Sequence, residues 1–289
     1  MEFYHLRSFV AVAQAGNLTL AAKRLYTTPP AISAHIKALE EELATPLFIR
    51  SSKGMCLTDK GRILLKKAQH TLDSALELVN TAAENQHEIM GTFRVGINLS
   101  AELVRLAELV MNLRENCPGI GLDVHPLWSG KTLEGIRAHT LDGGYIYGEV
   151  PEDMAGIQVK LQAITTVAPK DFDVSDVRTA GDLCAYPWIS MGKDCPFEAF
   201  LAEKLGNDLA SVVKSADERA RLELVKSGMG LSFLELEEAR RQEQSQALQV
   251  ISILDFHAPL YFVVAKSRAN EPIVRAMLQE IRILWELAI

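Results

Sequence analysis

Three short amphipathic segments within the first 43 residues constrain the fold more than any other feature of this chain. The first segment has apolar side chains at helical spacing and ends at Gly16, a residue type that commonly terminates helices. A second helix is predicted over 20–25, with Asn17 or Thr19 as its N-cap. The predicted buried positions of these two helices are Leu6, Phe9, Val10, Ala13, Ala21, Ala22 and Leu25.

A third helix is predicted over 31–43, with Thr28 as its N-cap and a proline in its first turn. Two short helices joined by a tight turn form a helix-turn-helix. The second helix of such a unit must enter a major groove about 12 Å wide, which suits small and polar side chains in its first turn. On shape alone, the end of an ordinary three-helix bundle is an equal alternative. The predicted buried stripe is Ile32, Ile36, Leu39 and Leu43, and the opposite face carries Ser33, Ala34, His35, Lys37 and Ala38.

A hairpin with a cationic tip is predicted directly after the third helix. Residues 47–50 and 55–58 are strand-like and flank Ser51-Ser52-Lys53-Gly54, as in a wing that reaches phosphates or a minor groove. Residues 1–67 contain ten Lys and Arg against five Asp and Glu. That leaves +5 on this segment and −12 on the rest of a chain whose net charge is −7. One end of the chain therefore suits a polyanion and the other does not.

A long helix is predicted from Asp59 to about Ile89, because this stretch has no proline and no glycine after Gly61. Its apolar residues repeat every seven positions, which indicates a coiled-coil seam and a homo-oligomer. The alternative is a helix that packs on its own domain. The two sets of seam residues are Leu65, Leu72, Val79 and Gln86, interleaved with Ala68, Ala75, Ala82 and Ile89.

The last two hundred residues alternate between strand-like and helical patterns, which predicts parallel β-α units. Strands are predicted over 91–97, 122–126, 141–146, 159–168, 188–191, 231–234 and 260–265, with another unit beginning at Val213. Helices are predicted over 101–116, 132–139, 196–205, 220–226 and 272–287.

The first 61 residues resemble the LysR-type transcriptional regulators, with that family's spacing intact. Two positions depart from its usual pattern: Pro29 stands where the family commonly has Gln, and Ala34 where it often has Arg. The resemblance rests on Leu6-x-x-Phe9-x-x-Val12-Ala13, Gly16-Asn17-Leu18-Thr19-x-Ala21-Ala22-x-x-Leu25, Pro30-Ala31-Ile32-Ser33-x-x-Ile36-x-x-Leu39-Glu40-x-x-Leu43, Pro46-Leu47-Phe48-x-Arg50 and Leu57-Thr58-x-x-Gly61.

The resemblance implies an N-terminal all-α winged helix-turn-helix with a long linker helix, and a C-terminal α/β two-lobed periplasmic-binding-protein-like effector domain. The implied DNA-binding domain covers 1–58, the linker and dimerisation helix 59–90, and the effector-binding domain 91–289. Within the last, lobe one is expected over 91–163 plus 266–289 and lobe two over 164–265.

The implied function is sequence-specific regulation of transcription under the control of a small-molecule effector. The implied partners are double-stranded DNA with an interrupted palindromic operator, a second copy of the chain in a dimer or tetramer, and RNA polymerase for an activator. Capping is an equal role for Thr28 and Ser33, and Lys37 is also explained as a solvated charge. The expected DNA-binding residues are Thr28, Pro30, Ser33, His35, Lys37, Arg50 and Lys53.

In such folds the ligand lies between the lobes, where strand C-terminal ends and helix N-termini meet. We therefore expect a small polar or anionic molecule near Ser100 and Lys193. An N-cap role for Ser100 and a surface position for Lys193 are equal alternatives. The expected effector-binding residues are Asn98, Ser100, Ser129, Met191, Gly192 and Lys193.

No enzyme, cofactor or metal motif is recognisable, so no catalysis, cofactor or metal is expected. The sequence has no apolar run long enough to span a membrane and no export signal, which predicts a cytoplasmic protein without a membrane partner. The four scattered cysteines have no CxxC pair. The alternative function is a redox-sensing regulator that uses Cys184 and Cys195, although buried inert cysteine is the commoner case.

Overall fold

In the computed structural model, the chain divides into two compact units, Met1–Gly91 and Thr92–Ile289. None of the helices described combines the length and the apolar character that a membrane span requires. The described residues are 1–51, 54–82, 88–192, 195–206 and 209–287.

The first unit contains three short helices, a two-stranded hairpin and a longer helix. Gly16 ends the first helix in the left-handed conformation, at φ 62°, and Asn17 rather than Thr19 caps the second. The strands pair in antiparallel register from Phe48 with Leu57 to Ser51 with Gly54. The elements are α1 (Phe3–Ala15), α2 (Leu18–Arg24), α3 (Pro29–Glu42), β1 (Phe48–Ser51), β2 (Gly54–Leu57) and α4 (Asp59–Thr81).

The predicted helix-turn-helix is confirmed, and its helices begin two residues earlier than predicted. Prolines 29 and 30 occupy the first turn of α3, because a helix start needs no N–H donor from those positions. Leu43 is exposed rather than buried, since α3 ends at Glu42 and Leu43 is only its C-cap. The apolar faces of the helices form one core with the hairpin, made of Leu6, Phe9, Ala11, Val12, Ala21, Ala22, Ile32, Ile36, Leu39, Leu47, Phe48 and Ala68.

Helix α4 is shorter than the heptad pattern predicts. It ends at Thr81, and the buried Ile89 lies beyond it. The Asn80 side chain bonds both the N–H and the C=O of Met90, at 3.0 and 2.8 Å, which holds the chain that follows. Gln86 of the predicted seam lies outside the described residues. Leu65 and Leu72 pack partly against the core of their own unit, so the first half of α4 fits the alternative reading of a domain-packed helix.

The second unit is built on a six-stranded sheet with strand order β4-β3-β5-β10-β6-β9, beside a separate β7-β8 pair. The strands are β3 (Gly91–Ile97), β4 (Ile120–Pro126), β5 (Gly143–Tyr147), β6 (Met154–Pro169), β7 (Trp188–Ser190), β8 (Ser211–Lys214), β9 (Ser232–Glu235) and β10 (Leu248–Ala265). The helices are α5 (Leu106–Asn116), α6 (Ser129–Arg137), α7 (Pro196–Leu205), α8 (Glu218–Lys226), α9 (Leu236–Gln244) and α10 (Pro272–Leu284), with 3₁₀ turns at Ala180–Ala185 and Lys266–Arg268.

The prediction of parallel units is correct only in part. Strands β3 and β5 are parallel, as are β7 and β8, but β10 runs antiparallel to both β5 and β6. Strands β6 and β10 are much longer than predicted, and their pairing shifts register between Ile251 and Phe256. Because residues 260–264 pair with β5, they extend the sheet of the predicted lobe one. This pairing favours a second lobe crossover near the register shift rather than at 265, and the lobe limits stay predictions.

Candidate nucleic-acid interface and effector cleft

The start of α3 is fixed by its capping residue. The Thr28 side chain accepts a hydrogen bond from the N–H of Ala31, and its carbonyl accepts one from Ile32. At the other end of α3, a Glu40 carboxylate oxygen accepts bonds from the N–H groups of Leu47 and Phe48, at 2.6 and 3.2 Å. The cap and this carboxylate together set the helix relative to the hairpin, so the exposed face of α3 and the hairpin form one candidate interface.

The predicted DNA-contacting residues of α3 differ in exposure. Thr28, Pro30 and Lys37 are exposed, whereas Ser33 is half-buried. The Lys37 ammonium lies 3.5 Å from a Glu41 carboxylate oxygen, one turn further along the same exposed face. These four residues stay predicted DNA contacts, of which three are accessible in this unit.

His35 lies against α1 rather than on the open face of α3. Its Nδ1 is 2.8 Å from the hydroxyl of Ser8, and its ring packs against Tyr4 and His5 at centroid distances of 4.8 and 5.6 Å. Burial lowers the pKa of His35, and the nearby His5 lowers it further. This geometry makes His35 a residue that positions α3 against α1.

The hairpin is anchored to the end of α1. The N–H of Met55 donates to the carbonyl of Gly16 at 2.9 Å, and a Cβ on Gly54 would lie only 2.5 Å from that carbonyl oxygen, so glycine is required there. Arg50 lies in β1 opposite Met55, but its side chain is outside the described atoms, and Lys53 lies outside the described residues.

A cleft of about 920 Å³ opens in the second unit, at the ends of three strands. Its walls come from the segments that follow β3, β4 and β8, where a parallel α/β architecture places ligands. The lining residues are Ile97, Asn98, Leu99, Ser100, Ala101, Pro126, Leu127, Trp128, Lys214, Ser215, Ala216, Asp217, Glu218 and Arg219.

Two of the expected effector-binding residues, Asn98 and Ser100, line this cleft. Ser129 is buried behind Asn98: its hydroxyl oxygen accepts bonds from the Asn98 amide and from the N–H of Tyr147, both at 3.0 Å. Ser129 therefore orients Asn98.

Met191 and Gly192 are not among the described residues that line the cleft. Their N–H groups donate to the Glu198 carboxylate at 2.7 Å and to the Ser190 hydroxyl at 3.2 Å. Gly192 has φ 91°, and a Cβ there would lie 2.7 Å from Cε of Lys214, so this glycine leaves room for a cleft side chain. Lys193 lies outside the described residues.

The sequence reasoning missed the segment from Lys214 to Arg219. It supplies two cations, Lys214 and Arg219, and two acids, Asp217 and Glu218, so the cleft offers charges of both signs. Burial raises the pKa of Glu218. The signal was present, because the strand-end rule that selected Asn98 also applies after β8.

A second buried acid lies near Glu218. Glu235 is 2% exposed, and one carboxylate oxygen accepts a bond from the Tyr147 hydroxyl at 2.9 Å. Its other oxygen has no hydrogen-bond partner among the described residues. Burial and the charge of Glu218 raise the pKa of Glu235 to about 7.

The cysteines and possible metal ligands give no further site. Within the described ranges, no group of three or more His, Cys, Asp and Glu side chains is placed to hold a metal ion. Cys184 is exposed, whereas burial raises the pKa of Cys195. A raised pKa reduces the reactive thiolate, which weighs against the redox alternative.

Comparison with known proteins gives the same division of the chain. Residues 3–62 match the bacterial regulatory helix-turn-helix protein, lysR family, and residues 86–285 match the LysR substrate binding domain. The chain is 26% identical over 238 residues to the HTH-type transcriptional regulator YofA of Bacillus subtilis, covering 81% of each chain. It is 25% identical over 262 residues to CysL of the same species, covering 89% of this chain and 88% of CysL.

Solved structures share the fold over almost the whole chain. The probable transcriptional regulator PA0477 from Pseudomonas aeruginosa has a TM-score of 0.75 at 18% identity, with 98% of this chain and 96% of that chain covered. Full-length CbnR in complex with its target DNA has a TM-score of 0.65 at 21% identity, with coverages of 98% and 99%. This chain belongs to the LysR family of DNA-binding transcriptional regulators, with a helix-turn-helix unit followed by a two-lobed effector domain.

Proposed function

We propose that the protein controls transcription by inserting α3 into the major groove of an operator and by binding a small polar molecule in the cleft of its second unit. The observation that carries the proposal is the pairing of an open α3 face beside a hairpin with a separate 920 Å³ cleft at strand ends. Binding in the cleft changes DNA affinity to the extent that the ligand prefers one lobe arrangement.

Residues 1–67 favour DNA as the partner of the first unit, because they hold the positive charge of an otherwise acidic chain. Thr28, Pro30, Ser33 and Lys37 are the proposed contacts on α3. We propose Arg50 and Lys53 as phosphate contacts of the hairpin.

A binding titration of the full chain on a duplex selected from a randomised pool tests the DNA partner. Arg50→Ala is expected to weaken binding across sequences and to reduce the slope of log Kd against log salt by about 1, as for one lost phosphate contact. Lys67→Ala, which removes the same charge from an exposed position in α4, is the control and should change both less. Failure of the full chain to bind any duplex above background would overturn the proposal.

A second copy of the chain is proposed to pair through the far end of α4. Leu78 and Val79 are 73% and 63% exposed there. A two-fold pair would present two α3 helices, which suits an interrupted palindromic operator. Lys substitutions at both positions are expected to halve the mass seen by light scattering; an unchanged mass would move the interface elsewhere.

Asn98, Ser100 and Lys214 are the proposed contacts for the effector, with Ser129 holding Asn98 in place. A thermal-shift screen of small acids, amino acids and aromatics on the full chain would supply a hit. Calorimetry should then show about tenfold weaker binding for Asn98→Ala and Lys214→Ala, as for a lost hydrogen bond to a polar or charged group. Lys204→Ala, exposed on α7, is the control. Wild-type affinity in both cleft variants would contradict the cleft assignment.

A further inference from the structure

The first turn of α3 has few backbone donors to offer DNA. Pro29 and Pro30 have no N–H group, and the N–H groups of Ala31 and Ile32 donate to the side chain and carbonyl of Thr28. A helix N-terminus usually binds phosphate through such free N–H groups. This helix start therefore has to meet DNA through its side chains.

The side chains of α3 are also poor in hydrogen-bonding groups for base edges. Residues 27–42 contain no Arg, Asn or Gln, which together with Lys make the bidentate contacts that identify guanine and adenine. The ammonium of Lys37 lies beside Glu41. Nδ1 of His35 is engaged by Ser8, and its ring is packed on Tyr4.

What the exposed face of α3 offers instead is C–H surface. Pro30 and Ala34 are both exposed, and with Lys37 they follow the i, i+4, i+7 spacing of one helix face. In the major groove, thymine alone presents a methyl group, and an apolar side chain contacts that methyl favourably.

We propose that Pro30 and Ala34 read thymine C5-methyl groups, so that each operator half-site presents T·A pairs to the first two turns of α3. This inference rests on the proposed function, in which α3 enters the major groove. It makes sequence discrimination by this helix a matter of apolar contact rather than of paired hydrogen bonds.

The test replaces single thymines by deoxyuridine, which removes one methyl group and leaves the hydrogen-bonding edges unchanged. The probe is a duplex that the full chain selects from a randomised pool. At one or two thymines in each half-site, Kd should rise about three- to fivefold, the effect of one lost buried methyl. Thymines outside the protected region should show no effect.

Two variants assign the methyl contact to α3. In Ala34→Gly and Pro30→Ser, the ratio of Kd values for the uracil and thymine duplexes should fall to about 1 at the position that each residue reads. Weakening of the helix by glycine affects both duplexes alike and cancels in this ratio.

Each outcome separates this inference from the proposed function. A ratio near 1 at every thymine of a duplex that the wild type binds with sequence preference would overturn methyl readout and leave the regulator proposal intact. A ratio that persists in the double variant would assign the contact to another element. No preference for any duplex would overturn both.

Discussion

Two buried carboxylates in the second unit, Asp142 beside β3 and Glu235 at the end of β9, occupy contrasting surroundings. Asp142 is 3% exposed and accepts bonds from the Arg94 N–H and guanidinium at 2.8 to 3.1 Å and from Arg268 at 2.8 Å. Burial alone would raise its pKa, but the bonds and charges of Arg94 and Arg268 outweigh burial and lower it. Glu235 has one neutral donor, Tyr147, and a second acid nearby, so its pKa rises to about 7.

The contrast separates a structural ion cluster from an acid that the fold holds at a cost. An ionised carboxylate in the interior is stable only where cations and donors compensate its lost hydration. Asp142 has that compensation, and it ties β3 to the turn after β10. Glu235 lacks it and lies near Glu218 of the cleft, and such perturbed acids are concentrated at functional sites.

Asp142→Asn should have the largest effect, since it leaves two buried guanidinium groups without this counter-charge. We expect the free energy of unfolding at pH 7 to fall by about 3 kcal/mol. Because the folded-state pKa is lowered, the stabilisation is present above the unfolded value of 3.8 and is lost as pH falls through the folded one. Urea unfolding followed by tryptophan fluorescence measures this.

Asp153→Asn is the matched control for that substitution. Asp153 also pairs with an arginine, Arg137, at 2.7 Å, but both side chains are about half exposed. Exposed ion pairs contribute little to stability, so the control should unfold close to the wild type. Equal losses in the two variants would mean that burial does not distinguish the clusters.

Glu235→Gln should have the opposite sign and a smaller size. A raised folded-state pKa gives stability that is present below the unfolded value of 4.5 and is lost as pH rises through about 7. The glutamine has no charge to lose, so the variant should be more stable than wild type by about 2 kcal/mol at pH 8 and equal to it near pH 4.5. Thermal unfolding at the two pH values measures the difference.

Glu237→Gln provides the comparison for a carboxylate two residues away that is exposed. It should leave the pH dependence of unfolding as in the wild type. If Glu235→Gln destabilised the protein at pH 8, the carboxylate would have compensating partners and the contrast with Asp142 would disappear.

The sequence revealed these regions unequally, and the reason is physical. Thr28 and Asn17 cap helices through bonds to residues within three positions, so local patterns were sufficient to find them. Asn98 was found because it directly follows a strand. The Tyr147–Glu235 bond joins residues 88 positions apart, and strands β5 and β9 are separated in the sheet by β10 and β6. No local pattern encodes such a pairing, because it depends on how the long antiparallel strands cross the unit.

Tyr147→Phe should have the smallest effect and sharpens the comparison most. The hydroxyl of Tyr147 donates to Glu235 and lowers the pKa of that acid, so its removal should raise that pKa further. The pH range over which stability is lost would then move upward, with a loss of about 1 kcal/mol at pH 8 for the missing bond. A thermal unfolding series from pH 4.5 to 9 on wild type, Tyr147→Phe, Glu235→Gln and the double variant measures the coupling. In the Glu235→Gln background the phenylalanine should no longer shift the pH profile. A shift that survives there would assign the titration to Glu218 instead.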